Sequence, residues 1–335
     1  MRIAVFANER EMSSYYRAFE PVHALADRGH GALINGRDGT AAPEMLAFDV
    51  ALISRWQGMG AQKLAEQLRA AGLAIVWAHD DAVDRDPNLN PRALEVQKRR
   101  AEVRAMVRLA DVVVTTSEPL AHAYRELGAE RVRVIENYLG DHYAGLERAP
   151  HDGLVLGWAA WVDHQADWAQ LGLHATVSRL LDAHPQLRVE SVGMIDLDLP
   201  RDRYTRDKPV AFEALGARLT AFDVGIAPIA DNPFNRSRSN IKLKEYAAAG
   251  VPWLASPIGP YADLGEQQGG RLVPDDRWYE ALDELIRNAR LRRKLAKRGR
   301  RWAQEQLLAR NAGEWESAFD EAIERGHARR RARAV

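Results

Sequence analysis

The segment FDVALISRWQGMGAQKLAEQLRAAGLAIVWAHDD, residues 48–81, contains one complete strand–helix–strand pattern. Two short apolar runs, FDVALIS (48–54) and LAIVWA (73–78), enclose a stretch with helical periodicity over residues 60–71. Gly72 follows the last periodic residue, where a helix commonly ends. Continuous apolar strands that alternate with helices are typical of a parallel sheet covered on both faces by helices. The segment therefore predicts an α/β fold.

The same alternation extends over most of the chain and is interrupted once. Before the interruption we predict strands at 2–7, 48–54, 73–78, 111–117 and 132–137, with helices at 15–28, 60–71, 92–109 and 119–128. Residues 138–152 have weak periodicity and collect Gly, Pro and His, which is typical of a domain boundary. After it we predict strands at 154–159, 187–193, 222–229, 251–256 and 270–274.

This pattern predicts two tandem Rossmann-like, doubly wound domains with a helical C-terminus. We expect an N-terminal domain at 1–148, a C-terminal domain at 149–310, and a final helix with a basic tail at 311–335. The tail ends in RGHARRRARAV, which we interpret as a solvated, frayed terminus, with a nucleic-acid-binding arm as the alternative.

Composition narrows the functional classes. The chain of 335 residues balances 47 Lys and Arg against 47 Asp and Glu and has no cysteine. The balance argues against a surface built as a whole to bind nucleic acid or an anionic membrane. The missing thiols exclude disulfides and a cysteine nucleophile. No window approaches the roughly 18 apolar residues of a membrane helix. We therefore expect a cytoplasmic protein, with peripheral membrane contact left open.

Several common catalytic and nucleotide-binding motifs are missing from the sequence. The first predicted strand is followed by NEREMSSYYRAFEP, which has no glycine and so cannot supply the G-x-G-x-x-G turn of a dinucleotide site. The chain also has no P-loop motif and no G-x-S-x-G nucleophile elbow. These gaps argue against NAD binding in the first domain, a P-loop nucleotidase and a serine hydrolase.

Acidic residues cluster after the third predicted strand, in HDDAVDRD (79–86). Open α/β sheets bind ligands at the carboxyl ends of their strands. His79, Asp80 and Asp81 therefore predict an acid/base or hydrogen-bonding patch, with a divalent-metal site as a second interpretation. An exposed loop that caps the next helix is the structural alternative.

Basic residues concentrate in the segment FNRSRSNIKLKEYAAAGVPWLASPIGPY, residues 234–261. We predict a helix from Asn240 to Ala249, because Ser239 or Asn240 can cap it and Gly250 can end it. Its apolar face is expected to be Leu243, Tyr246 and Ala247.

A helix start surrounded by cations is a natural phosphate site. Arg236, Arg238 and Lys242 lie at or just before the start of this helix. Glu245 would repel a phosphate, so it is better suited to accept hydrogen bonds from ribose hydroxyls one turn further in. The segment therefore predicts a nucleotide site, and an amphipathic helix with solvated charges is the alternative.

These residues resemble a motif of nucleotide-sugar glycosyltransferases of the GT-B fold, group 1 (family 4-like). The motif, similar to K-x-x-E-Y-x-A-x-G-x-P followed by a Pro-Tyr loop, stands here as Lys242, Glu245, Tyr246, Ala248, Gly250, Pro252, Pro260 and Tyr261. Further similar segments occur in the family's order at 13–30, 79–81, 115–124, 134–139 and 157–168, so the resemblance spans most of the chain.

The resemblance implies roles for individual residues. Glu245 would hold the nucleotide ribose, and the backbone of Ser239, Asn240 and Ile241 would meet the donor phosphates. His79 and Asp80, with Asp81, would face the reacting sugar. The donor site is also expected to include Arg236, Arg238, Lys242, His164, Gly259 and Tyr261.

Two departures from the family pattern concern the donor. The glutamate that the family commonly has eight positions before Glu245 is Ser237 here. The family's Gly-x-x-x-Lys/Arg segment appears as WVDHQ, with His164 and Gln165. We therefore expect Arg236, Arg238 or Lys242 to contact the diphosphate.

The predicted activity is transfer of a sugar from a nucleoside diphosphate sugar to a hydroxyl of a saccharide, a lipid-linked saccharide or, less favoured, a modified nucleic acid. No metal or further cofactor is expected, and the resemblance implies retention of configuration. Acceptor contacts are predicted at Tyr15, Tyr16 and Arg17, with helix packing as the alternative for the two tyrosines. A nucleotide-sugar epimerase and a non-catalytic nucleotide- or nucleic-acid-binding protein remain alternative functions.

Overall fold

The computed structural model describes residues 1–35, 47–82 and 94–333. The predictions for residues 83–86 of the acidic segment and for 92–93 of a helix lie outside this range. Contacts within the chain group it into two compact units. The first comprises Met1–Tyr138, Ser237–Ser239 and Leu308–Val335, and the second comprises Leu139–Arg236 and Asn240–Leu307. The main division thus follows Tyr138, whereas the predicted boundary follows residue 148.

The first unit contains a six-stranded parallel sheet. Its strands are β1 (Arg2–Phe6), β2 (Gly31–Asn35), β3 (Val50–Ser54), β4 (Ala74–Ala78), β5 (Val112–Thr115) and β6 (Val132–Val134), in the order β2-β1-β3-β4-β5-β6. Its helices are α1 (Met12–Ser14), a π-helix (Tyr15–Phe19), α2 (Glu20–Ala26), α3 (Met59–Ala70), α4 (Leu94–Leu109), α5 (Glu118–Glu126) and α13 (Leu308–Arg333). One face of the sheet packs on α2 and α13, where Phe19, Trp315 and Phe319 join Leu52 and Val76 in a common core.

The second unit repeats this architecture. Its strands are β7 (Leu154–Ala160), β8 (Leu187–Gly193), β9 (Tyr204–Asp207), β10 (Val224–Ala227), β11 (Trp253–Ala255) and β12 (Gly270–Leu272), in the order β12-β11-β10-β7-β8-β9. Its helices are α6 (Gln165–Gln170), α7 (Leu173–Ala183), α8 (Phe212–Leu219), α9 (Pro233–Arg236), α10 (Ile241–Ala248), α11 (Trp278–Arg287) and α12 (Ala289–Glu305). The strand order is that of a Rossmann sheet, in which the winding direction reverses between β7 and β10.

The predicted fold class is confirmed, since both units are parallel sheets flanked by helices. All ten predicted strands are present within a few residues of their expected bounds. Two strands were not predicted, β2 and β9, and each lies at an edge of its sheet. The helix predicted at 15–28 is divided into a π-helix and α2.

The basic tail differs from the expected frayed terminus. Helix α13 continues to Arg333, because side chains along it are tied to the first unit. Arg329 forms an ion pair with the buried Asp111 and also donates to Leu73 O at 3.1 Å. Arg325 donates to Glu130 at 2.6 Å. These contacts give the tail a structural role within the unit.

Candidate functional site

The switch point of the second sheet lies at the carboxyl ends of β7 and β10. The two strands pair at Val224–Leu156 and Gly225–Gly157. Beyond these pairs, the buried Tyr246 hydroxyl bridges them, accepting from Ala159 N at 2.9 Å and donating to Ile226 O at 3.0 Å. Open α/β sheets bind ligands at this position. The switch point is therefore the part of the second unit most suited to a ligand.

Helix α10 begins beside this point. Asn240 is its N-cap residue, with no side-chain capping hydrogen bond. Lys242, in the first turn, donates from Nζ to Ala159 O near the carboxyl end of β7. The ammonium group is thereby placed where the two strands separate. A helix N-terminus and a lysine at one strand end form an electropositive position suited to phosphate.

Glu245 lies one turn inside α10 and is only 6% exposed. Its Oε1 accepts a hydrogen bond from the Tyr143 hydroxyl at 3.1 Å. Tyr143 ends a short 3₁₀-helix, Asp141–Tyr143, and is itself buried. The tyrosine fixes the carboxylate in one orientation. The predicted apolar face of the helix is confirmed, since Leu243, Tyr246 and Ala247 are all buried.

His164 belongs to a buried polar network on the same side of the sheet. Its Nδ1 lies 2.8 Å from Oδ2 of Asp167. The other carboxylate oxygen of Asp167 accepts from Ala230 N at 2.9 Å and from Asn235 Nδ2 at 2.8 Å. The network joins the segment after β7 to the segment after β10. It fixes the imidazole orientation at the switch point.

The loop that follows β11 packs closely on this network. Gly259 has φ +53°, and a Cβ placed there would lie 2.7 Å from Arg236 Cα and 3.0 Å from Asn235 O. Tyr261, at the end of the same turn, is buried in the core of the second unit. Glycine is required at this position both by the backbone conformation and by the close approach. The loop is thus held at the carboxyl edge.

Two of the predicted cations have a carboxylate nearby, Asp231 for Arg236 and Asp81 for Arg238. Arg236 pairs in a bidentate manner with Asp231, at 2.5 and 2.7 Å, on the surface of the second unit. Arg238 and Ser239 group with the first unit, where Ser239 accepts from Asn137 Nδ2 at 3.2 Å. Lys242 is the predicted cation whose hydrogen bond to Ala159 O places it at the carboxyl end of β7.

In the first unit, Arg55 joins the carboxyl ends of three neighbouring strands. It follows β3 directly and contacts Glu11, which follows β1, at 3.4 Å. It also pairs with Asp80 and, at 2.8 Å, with Asp81, both of which follow β4. Its φ of +52° makes it the one non-glycine residue with positive φ among those described. Such strained residues are frequent at ligand sites.

The Arg55 cluster controls the charge of Asp81. Burial raises the pKa of this carboxyl, but Arg55, Arg238 and His79 outweigh burial and hold the pKa below its ordinary value. Asp81 is thus a carboxylate at neutral pH. A general acid would need the opposite shift.

His79 is buried between Trp77, on which it stacks, and Tyr124. The Tyr124 hydroxyl lies 3.0 Å from His79 Nδ1, and the Asp81 backbone N–H donates to the same nitrogen at 3.3 Å. Because Nδ1 accepts, the proton of the neutral ring lies on Nε2. His79, Asp80 and Asp81 are therefore brought together, and their role toward a reacting sugar stays a prediction.

The predicted acceptor residues lie on the π-helix. Tyr15 packs edge-on against Phe19 at 5.2 Å between ring centroids. Tyr16 is 5% exposed and Arg17 is fully buried. This burial fits the packing alternative for Tyr16, and acceptor contact by the three residues stays a prediction.

The sequence reasoning did not identify Arg55, Tyr124, Tyr143, Asp167 and Asn235. Arg55 directly follows a predicted strand, so the rule that ligands meet strand ends would have found it. Asp167 lies within residues 157–168, one of the segments that resemble the family. The two tyrosines carry no sequence signal of their own.

Two general features of the described residues concern metal binding and membranes. Nowhere in the ranges 1–35, 47–82 and 94–333 are three or more His, Asp or Glu grouped so that they could hold a metal ion. Among the helices that the structure describes, none is long and apolar enough to cross a membrane. Metal independence stays a prediction.

Known structures resemble this chain over most of its length. No family model and no curated protein sequence matches it. Sucrose-phosphate synthase from Thermosynechococcus elongatus is similar with a TM-score of 0.68 and 16% identity, over 100% of this chain and 99% of that one. HepE from Anabaena, in complex with UDP-glucose, is similar with a TM-score of 0.61 and 15% identity, over 95% of this chain and 100% of that one.

A transferase is also among the similar structures. The pneumococcal O-GlcNAc transferase GtfA, in complex with UDP and GlcNAc, has a TM-score of 0.57 and 14% identity over 82% of this chain and 57% of that one. At these identities the likeness concerns the fold. The predicted GT-B fold, two tandem Rossmann-like domains, is thereby confirmed.

Proposed function

We propose that the protein is a glycosyltransferase that moves a sugar from a uridine diphosphate sugar to a hydroxyl of an acceptor. The observation that carries this proposal is the placement of Glu245 and Lys242 on the first turns of α10, beside the switch point. Structures similar in fold contain UDP or UDP-glucose, which supports uracil as the donor base.

The two side chains suit different parts of such a donor. The buried Glu245 carboxylate, oriented by Tyr143, can accept hydrogen bonds from the vicinal hydroxyls of a ribose. Lys242 and the backbone N–H groups of Asn240 and Ile241 can meet the diphosphate. One charge-assisted hydrogen bond contributes about 1.5 to 3 kcal/mol, and micromolar binding requires about 8 kcal/mol. Several groups must therefore act together.

In the proposed reaction the bond between the anomeric carbon and the diphosphate oxygen breaks, and the diphosphate leaves with the electron pair. The acceptor oxygen forms the new bond to the anomeric carbon, and its proton passes to the leaving diphosphate oxygen. Negative charge increases on the leaving diphosphate in the transition state, so fixed cations and helix-end amides lower the barrier. Retention of configuration is part of the proposal and is read from the anomeric coupling of the product by NMR.

Thermal shifts test the donor site. The wild type is titrated with UDP, GDP, ADP, dTDP and CMP in EDTA, and a ligand at one hundred times its Kd adds about 2.7 kcal/mol to stability. In Glu245→Gln the amide can still accept from Tyr143, but the charge is lost. We expect UDP to bind this variant about tenfold to a hundredfold more weakly.

The matched control is Glu190→Gln, in the same unit. Glu190, on β8, is a half-buried carboxylate whose Oε2 lies 2.5 Å from Nη2 of Arg218. The Glu190→Gln substitution should lower the melting temperature and leave the stabilisation by UDP unchanged. Equal UDP responses in wild type and Glu245→Gln would contradict the donor-site proposal. Isomerised sugar nucleotide released without an acceptor would support the epimerase instead.

A further inference from the structure

Arg17 is a buried cation in the π-helix of the first unit. It is fully buried, and no carboxylate of the described residues forms an ion pair with it. Its Nη1 donates to Ile135 O at 2.7 Å and to Asn137 Oδ1 at 3.2 Å, and its guanidinium lies 4.8 Å from the Trp315 ring centroid. Its Nε and Nη2 have no hydrogen-bond partner within the described ranges. A buried arginine normally satisfies its charge and its donors.

Buried hydroxyls of the first unit are also unpartnered within the described residues. Ser14 and Ser54 are both fully buried, and neither Oγ has a hydrogen-bond partner in the described part of the chain. Thr116, which directly follows β5, is 5% exposed, and its Oγ1 also has no hydrogen-bond partner among the described residues. One buried hydroxyl without a partner is unusual in a native structure, and each such group calls for an explanation.

These groups belong to one face of the first sheet. Ser14 ends α1 and directly precedes the π-helix that carries Arg17. Ser54 ends β3, two residues after Leu52, and therefore points to the same side of the sheet as Leu52. Leu52 packs in the core that contains Ala18, Phe19 and Trp315, which is the side on which Arg17 lies.

A purely structural role explains only part of this arrangement. The bonds of Nη1 to the end of the last strand, together with the Trp315 contact, hold the π-helix against β6 and α13. They leave Nε, Nη2 and the hydroxyls unexplained. Burial is the largest influence on the pKa of Arg17; Tyr124 opposes it, the Arg55 charge adds to it, and the pKa is lowered to about 9. A bound anion would act in the opposite direction. Arginine has donors only, and its planar guanidinium matches phosphate or carboxylate oxygens.

We infer that Arg17, Ser14 and Ser54 form a binding subsite for a compact anionic group, at the carboxyl edge of the first sheet. This inference rests on the proposed function: the anionic group belongs to the acceptor. The acceptor is therefore a hydroxyl compound that carries a phosphate or a carboxylate. The reacting hydroxyl and the bound anionic group are then parts of the same small acceptor molecule.

Titration with inorganic phosphate and with acetate, at constant ionic strength set by NaCl and in saturating UDP, tests the subsite. Thermal shifts are recorded for wild type, Ser54→Ala and Arg17→Met. Ser54→Ala is the decisive variant, because the Ser54 hydroxyl makes no hydrogen bond to any of the described residues. If the Ser54 hydroxyl has only a structural role, its removal should not lower the stability of the protein. As a ligand group its loss should weaken binding of phosphate or acetate about tenfold.

Ser256→Ala is the matched control. Ser256 is a fully buried serine of the second unit whose Oγ accepts from Ile229 N at 3.0 Å. Its loss should lower the melting temperature and leave anion binding unchanged. The anion, phosphate or acetate, that gives a saturable shift identifies the acceptor group. The subsite is overturned if neither anion gives a saturable shift in the wild type, or if Ser54→Ala binds as tightly as wild type. Arg17→Met adds a second readout where it folds.

Turnover separates this inference from the proposed function. UDP release from UDP-glucose is measured with glucose 6-phosphate, glucuronate and glucose as acceptors. Faster release with either anion than with glucose, reduced by Ser54→Ala, supports the acceptor assignment. Release with glucose alone overturns it. A saturable, Ser54-dependent anion shift in a protein that no nucleotide stabilises would keep the subsite and reject the glycosyltransferase proposal.

Discussion

Replacement of Gly259 by alanine tests the position of the loop that follows β11. The backbone there has φ +53°, which costs a residue with a Cβ about 1 to 2 kcal/mol. The new methyl carbon would lie 2.7 Å from Arg236 Cα and 2.9 Å from Arg236 O, so backbone must move. Such overpacking costs about 1 to 3 kcal/mol. Together the two terms predict a loss of about 2 to 5 kcal/mol.

Differential scanning calorimetry measures this loss. A loss of this size should lower the melting transition of the second unit by at least about 4 °C. Because the loop lies against Asn235 and Arg236 at the switch point, we also expect weaker stabilisation of the variant by UDP. Both effects share one cause, the displacement of the loop from the carboxyl edge.

Gly265→Ala provides the comparison within the same unit. Gly265 has an extended backbone with φ −174°, and a Cβ there would meet no atom within 4 Å. This change should be neutral or should stabilise by up to about 1 kcal/mol. If Gly259→Ala melts no lower than Gly265→Ala, the close packing of the loop on Arg236 is wrong.

Two further predictions concern the carboxylates of Asp81 and Asp167. Because Arg55, Arg238 and His79 hold the pKa of Asp81 below 3.8 against the effect of burial, its contribution to stability is present above that pH and is lost as pH falls below it. Urea midpoints of wild type should therefore fall more steeply than those of Asp81→Asn between pH 5 and 2, and parallel curves would exclude the Arg55 pairing. Asp167→Ala leaves buried donors of His164 and Asn235 without their acceptor, so we expect a loss of at least about 2 kcal/mol in urea unfolding. Asp167→Asn, which keeps one acceptor oxygen, should lose less, and the reverse order would contradict the network.

The interior strands of both sheets could be predicted because burial on two faces requires continuous apolar sequence. All five residues of β3 and of β4 are buried, and their sequences, VALIS and AIVWA, are almost continuously apolar. The edge strand β9, YTRD, pairs with a neighbour on one side only and has two exposed residues. Its sequence therefore has no apolar run that local reasoning could detect. The π-helix depends on tertiary packing against β3 and α2, which leaves no periodic signal.

The candidate site divides in the same way. Glu245 and Lys242 were predictable because a capped helix, a spacing of three residues and a terminating glycine are all local features. The groups that orient them are not local: Tyr143 is 102 residues from Glu245, and Ala159 is 83 residues from Lys242. Arg55 and Asp81 are separated by 26 residues and meet only because β3 and β4 are neighbours in the sheet. Local sequence thus identifies which side chains lie at the strand ends, whereas strand order decides which of them become partners. A carboxylate partner for Arg55 or Arg236 comes from the fold, and a cation such as Arg17 that obtains none within the described residues is the one that calls for a ligand.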